Sequence, residues 1–173
     1  MNSGAKPDSA LGAEFFSLGN PLGLTDTYLE FYELPKQVKP VVYPFYGNHS
    51  LENINTSFDW GGGGLISTMS DLNTFIRALF KGRLFDKPES LRLLMQFQHT
   101  NSIKENSGQL HQRGLSIQKW DFQGYSFVGH NSAYGSMLFY EPEKDISIVI
   151  SLNQAAAVLK AEWLMRKIVL SFQ

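Results

Sequence analysis

The chain has 173 residues and carries 15 Lys and Arg against 16 Asp and Glu, which gives a formal net charge of −1. This length usually forms one domain around one substantial core, and the near-neutral charge gives no electrostatic basis for binding nucleic acid or an anionic membrane. The absence of cysteine excludes disulfides and thiolate metal sites. Charged residues interrupt every apolar stretch before it could span a bilayer.

The first third of the chain is expected to be irregular. Residues 1–13 are rich in Gly, Ser and Ala and are predicted to form a flexible tail. Residues 28–58 hold three prolines among aromatic residues with no sustained period, which predicts a long irregular segment with short strands. Such a segment is unusual in a compact domain unless it is functional or covers a core.

Two helices are predicted in the middle of the chain. Thr68 can cap the first, with Asp71 in the capping-box position three residues later and apolar residues following at helical spacing. The second begins near Pro88, where a proline is tolerated in the first turn. Residues 99–112 are polar and are predicted to form a loop.

The C-terminal third predicts a strand meander followed by a helix. Alternation of apolar and polar residues indicates strands near 115–118, 125–128, 137–141 and 146–152, the last being the clearest. An amphipathic helix over about 155–172 would cover one face of the resulting sheet. The predicted fold class is therefore α+β, an antiparallel sheet of about four strands covered by a C-terminal helix.

Three stretches, in this order and rough spacing, resemble one known family: residues 21–27 (PLGLTDT), residues 62–75 (beginning GGGLIST), and residues 129–136 (GHNSAYGS) continuing through Pro142 to Asn153. The family is that of the serine β-lactamases, which includes class C β-lactamases, D-Ala-D-Ala carboxypeptidases, D-aminopeptidases and related esterases. The likeness runs from about Phe15 to the C-terminus. It implies a partial β-lactamase/transpeptidase-like fold, with residues 14–173 forming the C-terminal part of such a domain.

The resemblance also implies roles for four residues. Family members carry a Lys/His-Thr/Ser-Gly box on the strand that borders the cleft, and His130 matches its first position. Asn131 and Ser132 depart from the pattern and are expected to contact substrate, with Ser132 replacing a glycine that lets substrate lie close to the strand. Ala133, by position, would supply an oxyanion-hole N–H.

The other two catalytic boxes of the family, Ser-x-x-Lys and Tyr-x-Asn, are not found in convincing places. Ser3-x-x-Lys6, Ser116-x-x-Lys119 and Tyr46-Gly47-Asn48 fit the letters, but such short patterns occur by chance. We therefore expect the chain to be a C-terminal fragment of a serine hydrolase that is inactive alone, with its nucleophile upstream of residue 1. The alternative is a non-catalytic binding or interaction module that keeps the shell of the fold.

The remaining expectations concern ligands and partners. No cofactor or metal is implied, because the histidines outside the box lack ligand spacing. The substrate in the parent protein would be a β-lactam, a D-amino-acid peptide or an ester, and the family resemblance implies a periplasmic or extracellular location. The Ile146–Leu152 strand pairs in the family with an N-terminal strand absent from this chain. We therefore expect the chain to dimerise through this edge, to aggregate, or to fill the edge with a segment of its own residues 1–58.

Overall fold

The computed structural model describes residues 21–36, 39–56, 62–98 and 112–172. The predicted tail over residues 1–13, and nearly all of the predicted loop over 99–112, lie outside these ranges. Within them, the helices are α1 (Met69–Phe80), α2 (Pro88–Leu94) and α3 (Val158–Leu170). No helix in the described ranges is both long and apolar enough to cross a membrane.

Five strands form the main antiparallel sheet, in the spatial order in which they follow along the chain. The sheet is a simple meander because each strand pairs with the next in sequence through a short connection. Its members are β5 (Gln112–Arg113), β6 (Gln118–Phe122), β7 (Tyr125–Asn131), β8 (Ser136–Glu141) and β9 (Ile146–Ser151).

The sequence located this sheet closely, with three differences. The sheet has five strands instead of about four, because β5 forms where the end of a loop was predicted. The strand predicted at 115–118 begins only at Gln118, because Ser116 adopts a left-handed conformation with φ of 59° that breaks the extended chain. The strand predicted to end at Val128 continues to Asn131 and therefore carries His130 within it. The chain is thus α+β, with an antiparallel sheet and a C-terminal helix, as predicted.

One face of the sheet packs against α3 and forms the core. Alternate residues of β6 to β9 point to this side and meet three small or flexible side chains of the helix. The cluster consists of Trp120, Phe127, Met137, Phe139, Ile148, Ile150, Ala161, Met165 and Val169. Phe127 and Val169 are fully shielded from solvent, so α3 is held mainly by apolar burial.

The opposite face of β8 and β9 packs against α1. Ser147 lies on that face and its hydroxyl bonds the side chain of Asn73 at 2.5 Å. Phe80 stacks on the ring of Tyr140, with 5.9 Å between centroids. The sheet therefore lies between two helices, α3 on its apolar face and α1 on its mixed face.

Among the described residues of the irregular first part, each strand is two residues long, in agreement with the predicted short strands. β1 (Tyr28–Leu29) pairs with β4 (Leu65–Ile66), and β2 (Phe45–Tyr46) forms a tight hairpin with β3 (His49–Ser50). Phe45 also reaches the main sheet: its N–H donates to Asn153 O at 2.9 Å and its carbonyl accepts from Ala155 N–H at 2.7 Å. This contact ties the irregular segment to the end of β9.

Asp145, in the turn between β8 and β9, anchors α1 to the sheet. Its carboxylate accepts from Tyr140 Oη at 2.7 Å and from Arg77 Nη2 at 2.6 Å, and it lies 3.0 Å from Lys81 Nζ. The pKa of Asp145 is lowered to about 2, and the hydrogen bond from Tyr140 is the largest cause. The hydrogen bond from Lys81 and the positive charges of Arg77 and Lys81 also lower it. The pKa of Tyr140 is raised to about 12; burial of the phenol is the largest cause and the hydrogen bond to Asp145 is the second.

We predict that Asp145→Asn destabilises the fold at neutral pH and that the difference from the natural chain disappears in acid. The carboxylate's pKa is depressed from 3.8, so its stabilisation is complete above pH 3.8 and is lost as the pH falls toward about 2. Urea unfolding of both proteins across this pH range measures the difference between their free energies of unfolding. Asp86→Asn, at an exposed carboxylate without an ion pair among the described residues, is the control. A pH-independent difference would contradict the prediction.

Candidate functional site

The predicted site residues lie at the tip of the β7–β8 hairpin. The turn is closed by two backbone bonds, from Ser132 N–H to Ser136 O at 2.8 Å and from Gly135 N–H to Ser132 O at 3.1 Å. Gly135 has φ of 84°, which is the left-handed glycine that follows a type I turn in a three-residue hairpin loop. The hairpin geometry is thus set by the backbone and by one obligatory glycine.

Gly129 fixes how closely β7 approaches β8. A Cβ built at this position would lie 2.0 Å from Leu138 O and 2.8 Å from Phe139 Cα, closer than any real side chain can sit. Gly129 is itself buried and lies opposite Phe139 in the register. The next residue, His130, is therefore presented at a point where the two strands are unusually close.

His130 projects from the α1 side of the sheet, opposite Leu138, and is exposed. Partial burial of the imidazole, with the positive charge of Arg113 as the second cause, lowers the pKa of His130 below its ordinary 6.5. The ring is therefore neutral at physiological pH, and one of its nitrogens is available as a hydrogen-bond acceptor.

Asn131 and Ser132 are each engaged in local contacts. The Asn131 side-chain oxygen accepts from Gln118 Nε2 at 3.0 Å, on the face that carries the apolar core. The Ser132 hydroxyl accepts from Tyr134 N–H at 3.2 Å, which reinforces the turn. Asn131 therefore ties β7 to β6, and Ser132 stabilises the turn of the β7–β8 hairpin.

Ala133 is exposed at the top of the turn. Its carbonyl accepts from Ala156 N–H at 2.8 Å, which holds the hairpin against the segment that leads into α3. In the part of the chain that the structure describes, its N–H has no acceptor. An exposed N–H without an acceptor can donate a hydrogen bond to a ligand.

A cavity of about 780 Å³ lies beside the hairpin, between the irregular segment, the start of α1 and the ends of β8 and β9. Of the four predicted site residues, only Ser132 belongs to the described wall. The wall is rich in hydroxyl groups, namely those of Thr25, Tyr28, Tyr43, Thr56, Ser67, Thr68, Ser132, Tyr134, Ser136 and Ser151. Such a lining suits a ligand with several amide or carboxyl groups.

The described wall has few charged groups, and each of them binds another group of the protein. Glu30 accepts hydrogen bonds from Tyr43 Oη at 3.0 Å and Thr56 Oγ1 at 2.6 Å. Burial, followed by the effects of Glu30, raises the pKa of Tyr43, so this phenol remains a donor at neutral pH. Lys39 pairs with Asp26 at 2.6 Å.

The sequence pattern predicted one of the two roles of Asp71. Its N–H donates to Thr68 Oγ1 at 3.2 Å, as the capping box predicts. Its carboxylate, however, does not complete the box; it accepts from Asp26 N–H at 2.9 Å and Thr27 Oγ1 at 2.7 Å. Asp71 is buried and so connects residues 21–27 to the start of α1, two stretches far apart in sequence.

The other patterns that matched catalytic boxes by letter are not assembled into a site. Ser116 lies in a turn before β6 and not at a helix N-terminus. Tyr46, Gly47 and Asn48 form part of the β2–β3 hairpin and its turn, outside the described cavity wall. Ser3 and Lys6 lie outside the described residues.

We predict that Gly129→Ala destabilises the chain by about 2–4 kcal/mol, because the added methyl forces β7 away from the β8 backbone. Gly62→Ala is the matched control: its Cβ would meet nothing within 4 Å and its φ is not in the left-handed range. Urea denaturation of both variants gives the comparison. Equal stability of the two variants would show that the β7–β8 approach is not as tight as described.

Comparison with known protein families agrees with the arrangement of these elements. Residues 13–169 match the family described as Beta-lactamase. No individually curated protein gave a significant match. The matched residues include the hairpin that carries His130, the contact of Asp71 with residues 26 and 27, and α3 almost to its end. The chain therefore belongs to the beta-lactamase family.

Proposed function

We propose that this chain forms the substrate-binding edge of a serine-hydrolase acyl-transfer site, acting on a β-lactam, a D-amino-acid peptide or a simple ester. The observation that supports the proposal is the β7–β8 hairpin, which carries His130 and the uncommitted Ala133 N–H and contributes Ser132 to the wall of the hydroxyl-lined cavity. Family membership supports the reaction class, since acyl transfer to serine is the chemistry that the resemblance implies.

Each residue then has a distinct task. His130, neutral at physiological pH, orients the substrate by a hydrogen bond at the cleft. Ala133 N–H donates to the carbonyl oxygen as it gains negative charge in the tetrahedral intermediate. Ser132 and Asn131 shape the hairpin edge along which the substrate lies, and Ser132 takes a share of the cavity wall.

The nucleophile is not supplied by the described residues. The most suitable helix N-terminus beside the cavity, that of α1, carries Ser67 and Thr68, but the residues three positions later are Ser70 and Asp71. A lysine at that spacing is what activates the serine in the family's first box. Lys39 in the cavity wall is bound to Asp26 instead.

We predict that the purified chain hydrolyses neither a chromogenic β-lactam nor a p-nitrophenyl ester faster than buffer or the heat-denatured chain. The reason is that the described residues hold no serine–lysine pair at a helix N-terminus. Initial rates by absorbance test this directly. Serine-dependent turnover that disappears in Ser3→Ala or Ser116→Ala would show that one of these letter matches is a real active site.

The next prediction concerns a longer chain that joins Ser-x-x-Lys and Tyr-x-Asn boxes to these residues. In that chain we predict that His130→Ala lowers kcat/KM by about ten- to a thousand-fold, which corresponds to about 1–4 kcal/mol of transition-state stabilisation. Stability should change little because His130 is exposed. His49→Ala, at another exposed strand histidine, is the control and should leave kcat/KM unchanged. Unchanged kinetics in His130→Ala would remove this residue from the site.

The second candidate function is a non-catalytic binding module. The observation in its favour is that both departures from the box make structural contacts: Asn131 bonds Gln118 of β6, and Ser132 bonds the turn at a position where the family's glycine would leave room for substrate. Ser132→Gly in the longer chain separates the two functions. A gain in turnover favours an enzyme with a partly obstructed cleft; retained ligand binding with no turnover in either form favours the module.

A further inference from the structure

Two hydroxyl groups in the cavity wall, those of Tyr43 and Thr56, have their protons bound to a carboxylate of the protein. Tyr43 Oη donates to Glu30 Oε1 at 3.0 Å, and Thr56 Oγ1 donates to Glu30 Oε2 at 2.6 Å. An ionised carboxylate accepts hydrogen bonds and cannot donate them, so the direction of both bonds is fixed. Each hydroxyl therefore offers a ligand its lone pairs and not its proton.

Ser67, in the same wall, is oriented by a longer chain of hydrogen bonds. Thr27 Oγ1 donates to the buried carboxylate of Asp71 at 2.7 Å, which uses the single proton of the threonine hydroxyl. Thr27 Oγ1 also lies 2.8 Å from Ser67 Oγ, so Ser67 is the donor of that bond. The other acceptor of the Ser67 proton is the carbonyl of Thr68 at 3.4 Å. With either acceptor the proton is bound within the protein, and the Ser67 oxygen is left to accept from a ligand.

The residues that hold these three hydroxyls lie beside the β1–β4 ladder. Ser67 directly follows β4, and Glu30 directly follows β1. The N–H of Glu30 donates to Gly64 O at 2.8 Å, which continues the pairing of the two strands. We call this part of the wall the acceptor side; it consists of Tyr43, Thr56 and Ser67 around Glu30.

The hairpin and the start of α1 have the opposite hydrogen-bonding polarity. Ser132 Oγ accepts from Tyr134 N–H at 3.2 Å, and Thr68 Oγ1 accepts from Asp71 N–H at 3.2 Å. Both hydroxyls therefore keep a proton for a ligand, and Ala133 N–H is uncommitted among the described residues. A ligand carbonyl is favoured there, whereas a ligand N–H is favoured at the acceptor side.

The charge of the described wall favours a cationic N–H group over a neutral one. Its charged residues are Asp26, Glu30 and Lys39, and Asp26 and Lys39 form an ion pair at 2.6 Å. Glu30 is thus the one charge of the described wall that is not balanced by an opposite charge. Asp71 adds a second carboxylate behind Ser67. An ammonium group is attracted to this side, and a carboxylate is repelled.

We propose that the acceptor side binds the ammonium group of an acyl donor whose carbonyl lies at the β7–β8 hairpin. The inference deepens the proposed function and rests on it, because the reacting carbonyl is placed by that function. It narrows the substrates to peptides, amides or esters with a free amine on the acyl side.

Nuclear magnetic resonance titration of the 173-residue chain with two matched probes tests the proposal. D-alanine benzylamide carries the ammonium group, and D-lactic acid benzylamide has a hydroxyl group in its place. At about pH 6 an α-amino group is protonated, and we expect the amine to bind about tenfold more tightly or better. Equal affinities, tighter binding of the hydroxyl probe, or no shift of backbone signals at the acceptor side with either probe would overturn the proposal.

Variants with a matched control locate the ammonium subsite. Glu30→Gln removes the charge and should reduce the preference for the amine to within about twofold. Thr56→Val and Ser67→Ala each remove one acceptor and should reduce the preference by about two- to tenfold. Ser126→Ala is the control, because Ser126 Oγ donates to Asp121 at 2.6 Å outside the described cavity wall, and the preference should not change. Circular dichroism checks that each variant is folded, and a folded Glu30→Gln variant with the full preference would exclude this subsite.

Thr27→Val tests the orientation of the Ser67 hydroxyl separately. Thr27 is outside the described cavity wall, but its hydroxyl is the acceptor that holds the Ser67 proton. Without it, Ser67 is free to donate into the cavity, so the amine should bind more weakly and the hydroxyl probe should not. An unchanged preference in the folded variant would overturn the role of Ser67.

These measurements separate the subsite from the proposed acyl transfer, because probe binding requires no turnover. A preference for the amine together with unchanged kcat/KM in His130→Ala would reject the acyl-transfer role and leave an amine-binding module. Loss of kcat/KM in His130→Ala without a preference for the amine would reject the subsite alone.

Discussion

The close approach of β7 to β8 at Gly129 is the constraint on which the candidate site depends. The space that a Cβ would need is occupied by the backbone of Leu138 and Phe139, so the two strands are in register only if position 129 has no side chain. The same two strands then continue into the turn closed by Ser132 and Gly135. The position of His130, the next residue of β7, follows from that backbone contact.

A second constraint comes from Asp71, which brings distant parts of the chain to the same cavity. A buried carboxylate needs hydrogen-bond donors, and Asp71 finds them in the backbone of Asp26 and the hydroxyl of Thr27. The irregular segment is thereby fixed at the N-terminus of α1. Phe45 fixes it again at the end of β9. Two polar anchors and very short strands thus position a long segment that lacks extended secondary structure.

The proposed function uses the meander at a place where its regular hydrogen bonding stops. At the hairpin tip, Ala133 N–H lies outside the β7–β8 ladder and is available to a ligand. The end of β9 adjoins the same region, because Ser151 lies in the cavity wall.

The sequence by itself determined the meander and the α3 cover, because period-two and period-3.6 patterns report directly which face of an element is buried. It indicated the family through the resemblance of three ordered motifs, and the same resemblance predicts a site role for His130. It did not reveal the second bonding role of Asp71, the Phe45 contact or the cavity. Each of these joins residues many positions apart, and no local pattern encodes which donor a buried carboxylate will find. Only the tertiary structure decided those contacts, because they depend on how separate elements pack and not on the preferences of any one of them.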